Sequence, residues 1–249
     1  FSGDSADVRV RNCIYLIQKN SQNTRNYTTK MHRWFSVYRS YLFSQLSYIE
    51  TKISQTIPCF PNTLLQIFYD NEMNSTVKNT ISKYGNYKLY FKQSAYNWLS
   101  VSPKPAPCYD QNCKLIPQTM VSELAITSVN YWKILVLLLN GKISFSYWLI
   151  FGDDFHVTKE NLIALPFPSN ISKIDTEKLL KLSDEFISKL ETTVVYKLNA
   201  GKNVGTYDTS KLWYITDKSD LIFLKYLTNN PVQVFEAINN HIYSIRKVN

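Results

Sequence analysis

The spacing of apolar positions along this chain changes period several times, and each change marks an element. Along Val8 to Gln18 the first residues alternate, Val8 and Val10 against Arg9 and Arg11. Cys13, Ile14, Tyr15, Leu16 and Ile17 then run apolar on both faces, the pattern of a strand covered on both sides. From Ser36, a residue type that caps helices, the stripe Tyr38, Leu42, Leu46, Ile49 and Ile53 predicts a helix with one buried face. Pro58 and Pro61 in TIPCFPN deny a helix its donors and predict a linker and a domain boundary. TLLQIFYDNE and STVKNTISKY then predict two short helices, the second stopped by Gly85.

The period becomes two in NYKLYFKQ, where Tyr87, Leu89 and Phe91 alternate with Lys88, Tyr90 and Lys92. One face belongs to a core and the other is basic and aromatic. Residues 102–118, with four prolines, predict a long loop carrying Lys104 and Lys114, and KLIPQTMVSELAITSV reads as extended chain. YWKILVLLLNGKISFSYWLIFG is the longest apolar stretch, but Lys133, Asn140, Gly141 and Lys142 break it, well short of the roughly 18 apolar residues a membrane span needs. It predicts two buried helices joined near Asn140-Gly141, with Gly141 as a left-handed cap. A short strand at Phe155 to Thr158 and a helical turn at Lys159 to Ala164 follow, with Pro166 and Pro168 as terminators. A long helix opens at Asp175 or Thr176 with Leu179, Leu182, Phe186 and Leu190 on one side, and a last helix aligns Val234, Ile238, Ile242 and Ile245. Between them lies a glycine-bearing loop around NAGKNVG and further apolar runs. The sum is an α+β chain: a mixed small sheet with flanking helices, and no internal repeat.

Composition adds one decisive fact, the placement of charge. The net charge is +9. Residues 1–114 hold 14 Lys and Arg against 6 Asp and Glu, and residues 115–249 hold 14 against 13. An excess of this kind fits a polyanionic partner, and a solvated basic face with no ligand is the alternative. Four scattered cysteines, Cys13, Cys59, Cys108 and Cys113, make no disulfide framework, so a reducing cytoplasm is expected. Cys108 and Cys113 are loosely spaced with no histidine near, which favours ordinary thiols over a metal site.

Familiar catalytic patterns are missing. There is no phosphate-binding G-x-x-x-x-G-K-[ST], no G-x-S-x-G and no H-E-x-x-H, and AGKNVG lacks the third glycine of a dinucleotide loop. Asp153, Asp154 and His156 in FGDDFHV form the best acid pair with a histidine nearby, and local turn hydrogen bonds explain them better than hydrolysis does. What remains is recognition. Lys88, Tyr90 and Lys92, followed by Tyr96, Asn97 and Trp98, mix phosphate-seeking cations with planar groups and an amide that can read a base edge. A lysine-protected edge strand has the same appearance.

Several stretches together resemble a family. DVRVRNCIYLIQKN, YTTKMHRWFSVYRSYLF, YKLYFKQSAYNWLSV, ILVLLLNGKISFSYWLIFGDDFHVTKENLIALPFP and NAGKNVGTYD look like the C-terminal half of adenine-N6 DNA methyltransferases of restriction-modification systems. The resemblance implies that Val8 to Lys19 is a remnant strand of a Rossmann-like methyltransferase domain. Residues 1–57 would be the tail of that catalytic domain and residues 58–249 a DNA target recognition domain, similar to that of specificity subunits. The family's Phe-x-Gly-x-Gly loop and Asn-Pro-Pro-Tyr have no counterpart in residues 1–249. No catalytic residue therefore carries over, and S-adenosylmethionine is a cofactor expected of the parent enzyme through an upstream catalytic domain, not of this chain. The expected partner is duplex DNA, with no membrane, and the candidate contacts are Lys83, Lys88, Tyr90, Lys92, Asn97, Lys104 and Lys114, with Lys202 and Asn203 from the late glycine loop. The alternative is a stand-alone specificity or adaptor subunit that recruits separate catalytic chains through helices 175–192 and 231–246.

Overall fold

The computed structural model describes residues 2–3, 6–7, 25–32, 40–41, 43–52, 56–70, 75–95, 97–153 and 155–245. The predicted strand Val8 to Gln18 and the Ser36 cap lie outside them. Two short antiparallel pairs come first, β1 (Ser2–Gly3) with β2 (Ala6–Asp7) and β3 (Tyr27–Thr28) with β4 (Ile49–Glu50). Ile49, placed by its spacing on a helical stripe, is therefore a strand residue, and the described residues shortly before it, Phe43–Gln45, form a 3-10 turn. Where the prolines predict a linker the chain packs instead: Pro58 and Phe60 are buried, and the Cys59 N–H donates to the Ile150 carbonyl at 2.9 Å.

Helix α1 (Thr63–Asp70) follows, whereas the second predicted helix is a single 3-10 turn, Val77–Thr80, held by reciprocal bonds between Thr76 and Asn79. A three-stranded antiparallel sheet in the order β6-β5-β8 comes from β5 (Tyr87–Lys92), β6 (Val101–Ser102) and β8 (Val121–Ile126). Leu89 and Phe91 of β5 are buried as their alternation predicts. The expected long loop contains β7 (Cys108–Tyr109), which pairs with β10 (Lys202–Tyr207), itself paired with β9 (Val194–Asn199) in the second sheet, β7-β10-β9. The expected strand at Phe155 to Thr158 is reduced to one isolated bridge between His156 and Ser94.

Helices α2 (Val129–Asn140) and α3 (Lys142–Phe151) form the centre. Residues 134–140 of α2 are buried all round, which a helix tolerates only when neighbours cover every side. The sheet β6-β5-β8, α3, α5 (Lys173–Leu190) and α6 (Trp213–Leu227) supply that cover, and α7 (Pro231–Ile245) closes over α1, α3 and α6. A one-turn helix, α4 (Lys159–Ile163), is capped by Thr158. The apolar stripe of α5, with Leu179, Phe186 and Leu190 buried, is thus docked within this chain. Among the described residues no single helix is long and apolar enough to cross a membrane, and α2 and α3 together bend by 61°.

Two boundaries differ from expectation for clear reasons. Helix α5 starts three residues earlier than Thr176, at Lys173, because the Ser172 hydroxyl accepts from the Asp175 N–H at 3.2 Å and acts as the N-cap. Gly141 is not left-handed: at φ −78° and ψ 170° it is extended. Glycine is needed there because a Cβ would collide with the Asp220 carboxylate. That carboxylate caps α3 from a distance, with Oδ2 accepting from the Lys142 N–H at 2.7 Å. The Lys142 side chain, 4% exposed, pairs with Asp217 at 2.8 Å and lies over the rings of Trp213, Phe235 and Tyr243, so helix α3 is tied to α6 and α7 by charge and cation–π attraction.

Candidate nucleic-acid interface

The basic face predicted on β5 is largely engaged. Lys88 Nζ lies 2.9 Å from Glu123 Oε1 on β8, and this hydrogen bond raises its pKa above the ordinary lysine value. Lys92 Nζ donates to Thr206 Oγ1 on β10 at 2.6 Å. Burial lowers its pKa, and the nearby charge of Lys197 adds to that. Tyr90, Lys92, Gly205 and Thr206 line a seam of only about 10 Å³ between the two sheets, room for a water at most. The second sheet therefore covers this half of the β5 face. Trp98 Nε1 donates to the Tyr207 carbonyl at 2.9 Å, and the Gln118 amide donates to the carbonyls of Ala106 at 2.6 Å and Gly205 at 2.7 Å, which fixes that sheet in place. Asn97 is half-buried at a bend between β5 and β6, and Tyr96 lies outside the described residues.

The remaining predicted residues divide into two groups. Lys83 stands in an exposed turn, 6.0 Å from the Tyr84 ring centroid. Lys104 pairs with Glu191 Oε1 at 2.9 Å, an oxygen that also accepts from the Tyr207 hydroxyl at 2.9 Å. The Lys104 ammonium, ahead of the other contacts, holds the Glu191 carboxyl below its usual range. Lys114, Lys202 and Asn203, by contrast, come together. In the pairing of β9 with β10, Lys202 faces Asn199, which leaves Ala200 and Gly201 as a two-residue turn with φ +47° and +75°. Two positive φ angles make this the primed turn whose twist suits a hairpin. Beside it, residues 108–116 fold into a second, shorter hairpin: the Ile116 N–H donates to Cys108, the Asp110 N–H to Lys114, and Tyr109 bridges to Leu115. Asp110 Oδ1 accepts from the N–H groups of Asn112 and Lys114, both at 2.9 Å, so this carboxylate holds its own turn.

The two tips adjoin. Asn203 pairs with Tyr109, and a Cβ on Gly201 would collide with the Gln111 amide. Every residue from Tyr196 to Ala200 and from Gln111 to Leu115 is exposed, as are Lys202 and Asn203, whereas Gly205, Thr206 and Tyr207 at the base of the ribbon are buried. The distal half of β9–β10 thus projects from the body. It carries Lys197, Asn199, Lys202 and Asn203, and its neighbour adds Gln111, Asn112 and Lys114. Lys114, Lys197 and Lys202 make no ion pair among the described residues, and Asp110 is the one acid in the two tips. Lys197, Asn199, Gln111 and Asn112 are absent from the sequence-derived set. The run VVYKLN is a weak strand signal for Lys197 and Asn199, and no local pattern marks Gln111 and Asn112.

Other clusters give no ligand geometry. Asp153 accepts from the N–H groups of Phe155 and His156 and pairs with His156 Nδ1 at 2.6 Å, a local turn, while Asp154 lies outside the described residues. Glu50-Thr51-Lys52 is the chain's one Glu-x-Lys triplet, and Glu50 lies 3.9 Å from Arg25. Among the described residues no three His, Cys, Asp or Glu side chains gather to hold a metal, and Cys108 is buried while Cys113 is exposed. A groove of about 380 Å³ between α1, α6 and α7, lined by Leu64, Phe68, Tyr226 and Val234, holds none of the predicted contacts. Comparison with known proteins returns no match: no family model fits the chain, and neither a curated sequence nor a solved structure matches it.

Proposed function

We propose that this chain docks on duplex DNA and reads a short site, as the target recognition part of an adenine-N6 DNA methyltransferase or bifunctional restriction-modification protein of the cytoplasm. An upstream domain that binds S-adenosylmethionine would perform the chemistry. The observation that carries the reading is the pair of adjoining tips, which present Lys114, Lys197 and Lys202 beside four exposed amides, with their one acid tied into its own turn. Lysines release counterions from phosphates, and carboxamides pair with base edges. A B-form major groove also admits a two-stranded ribbon. Lys88 and Lys104, each neutralised by a glutamate, add less to this field. The test is titration of the chain with duplex DNA at several salt concentrations. Three phosphate contacts give a slope of log affinity against log salt of about −2.7 or steeper. A flat dependence overturns the reading.

A further inference from the structure

The two faces of the β9–β10 ribbon differ in chemistry, and cross-strand register assigns residues to each. Residues directly opposite in an antiparallel pair share a face, with Cβ atoms about 5 Å apart. Lys197 lies opposite Val204, Thr206 opposite Val195 and Lys202 opposite Asn199. At its base this face meets the body, since Thr206 accepts from Lys92, while Lys197, Asn199 and Lys202 at its distal end are exposed. The other face pairs Tyr196 with Gly205 and Leu198 with Asn203, and it carries Tyr109, whose ring centroid lies 6.0 Å from that of Tyr196. Its distal part is open, with Leu198 70% and Tyr196 51% exposed, while at its base Tyr207, opposite Val194, is buried. A leucine that exposed, directly opposite an exposed asparagine, has no role in the core of this chain.

An apolar group beside a carboxamide is the complement of one base pair in the major groove. Adenine presents an N7 acceptor and an N6 donor, which a carboxamide meets with two bonds, and thymine beside it presents a C5 methyl group that takes apolar contact. Resting on the DNA-binding reading above, we infer that the ribbon enters the major groove with the open distal part of its Leu198 face, and that Asn203 and Leu198 together read a single A·T pair. Asn203 Nδ2 and Oδ1 meet adenine N7 and N6, and Leu198 covers the thymine methyl. Lys197 and Lys202, on the opposite face, reach round to the flanking phosphates.

The experiment selects bound duplexes from a randomised pool, with the whole chain and with its Asn203→Ala and Leu198→Ala variants. Both positions are exposed, and thermal melting confirms that each variant folds. The unaltered chain is expected to select a site containing an A·T pair at which both variants relax preference, with a discrimination of roughly 5- to 150-fold lost at that position alone. In the selected site, uracil in place of thymine removes the methyl and weakens the unaltered chain but not Leu198→Ala. Adenine lacking N7 weakens the unaltered chain but not Asn203→Ala. If the chain selects a site and both variants select the same site as strongly, the assignment is overturned while DNA recognition stands. If the chain selects nothing and binds without salt dependence, both fall together.

Discussion

Asn140 supplies a quantitative test of how the central helix holds the sheet. It is 2% exposed at the end of α2 and makes three side-chain hydrogen bonds. Its Oδ1 accepts from the Val101 N–H at 2.9 Å, and its Nδ2 donates to the carbonyls of Val101 and Val136, both at 2.7 Å. Val101 belongs to β6, an edge strand whose partner lies on one side only. The carboxamide therefore stands in for the missing neighbouring strand, pairing both outward backbone groups of one residue. Asn140→Ala leaves the buried N–H and C=O of Val101 without these partners and takes from the Val136 carbonyl a donor additional to its helical one. At about 1–3 kcal/mol for a stranded group, tempered by the second lone pairs of the carbonyls, the loss comes to roughly 3–5 kcal/mol. That is a large share of the 5–15 kcal/mol a domain typically has.

Asn140→Asp sharpens the test. The carboxylate keeps the bond from Val101 N–H but sets a negative oxygen against two carbonyls, so at neutral pH it costs more than alanine. Protonation restores a donor, so this variant's folded-state pKa is raised and its deficit shrinks as pH falls. The assay is urea denaturation of the three proteins at neutral and mildly acidic pH, comparing midpoints at constant slope. A cost below about 1 kcal/mol for Asn140→Ala shows that water or relaxation satisfies Val101, and the surrogate-strand argument fails.

Two further predictions concern the buried polar groups. His241 is buried with its Nδ1 3.2 Å from the Ser146 hydroxyl, and burial lowers its pKa from 6.5 to about 3. A depressed pKa leaves this stability intact above the unfolded value and removes it as pH falls from 6.5 toward 3, by roughly 4 kcal/mol in all. His241→Gln, which does not titrate, is expected to flatten the pH dependence of denaturation midpoints in that window, and parallel curves for the two proteins refute the assignment. Gly141→Ala forces a methyl against the Asp220 carboxylate and is expected to cost about 1–3 kcal/mol in chemical denaturation. An Asp220→Gly background, itself destabilised by loss of the cap, recovers most of that increment. An equal cost in both backgrounds rejects the collision.

The sequence made some of this architecture readable and concealed the rest, for physical reasons. Strong periodicity in β5, α2, α3, α5 and α7 marks those elements because one buried face, or full burial, dictates residue type. The β9–β10 hairpin is hidden because its turn is Ala200-Gly201 instead of the Asn-Gly that usually announces such a turn. Helix α6 is hidden because Thr216, Ser219 and Asp220 are buried polar residues that break its apolar stripe. Asn140 reads as a break in an apolar run, and nothing local tells that its amide partners come from residue 101. Lys114, Lys202 and Asn203 are found from composition and loop chemistry. Their gathering into one projection depends on a strand pairing between residues 108–109 and 203–204, which no local pattern encodes. Lys88 and Lys104 are identifiable as cations, whereas the glutamates that neutralise them are distant in sequence.

On the proposed reading the two hairpin tips, and not the face of β5, meet DNA. The most direct measurement is the salt dependence of duplex binding for two variants beside the unaltered chain, one with Lys114, Lys197 and Lys202 changed to Ala and one with Lys88 and Lys92 changed to Ala. Each lost phosphate contact reduces the slope by about 0.9. The tip variant is expected to show a slope shallower by about 2 to 3 and the β5 variant a slope nearly unchanged, and the reverse order refutes contact through the tips.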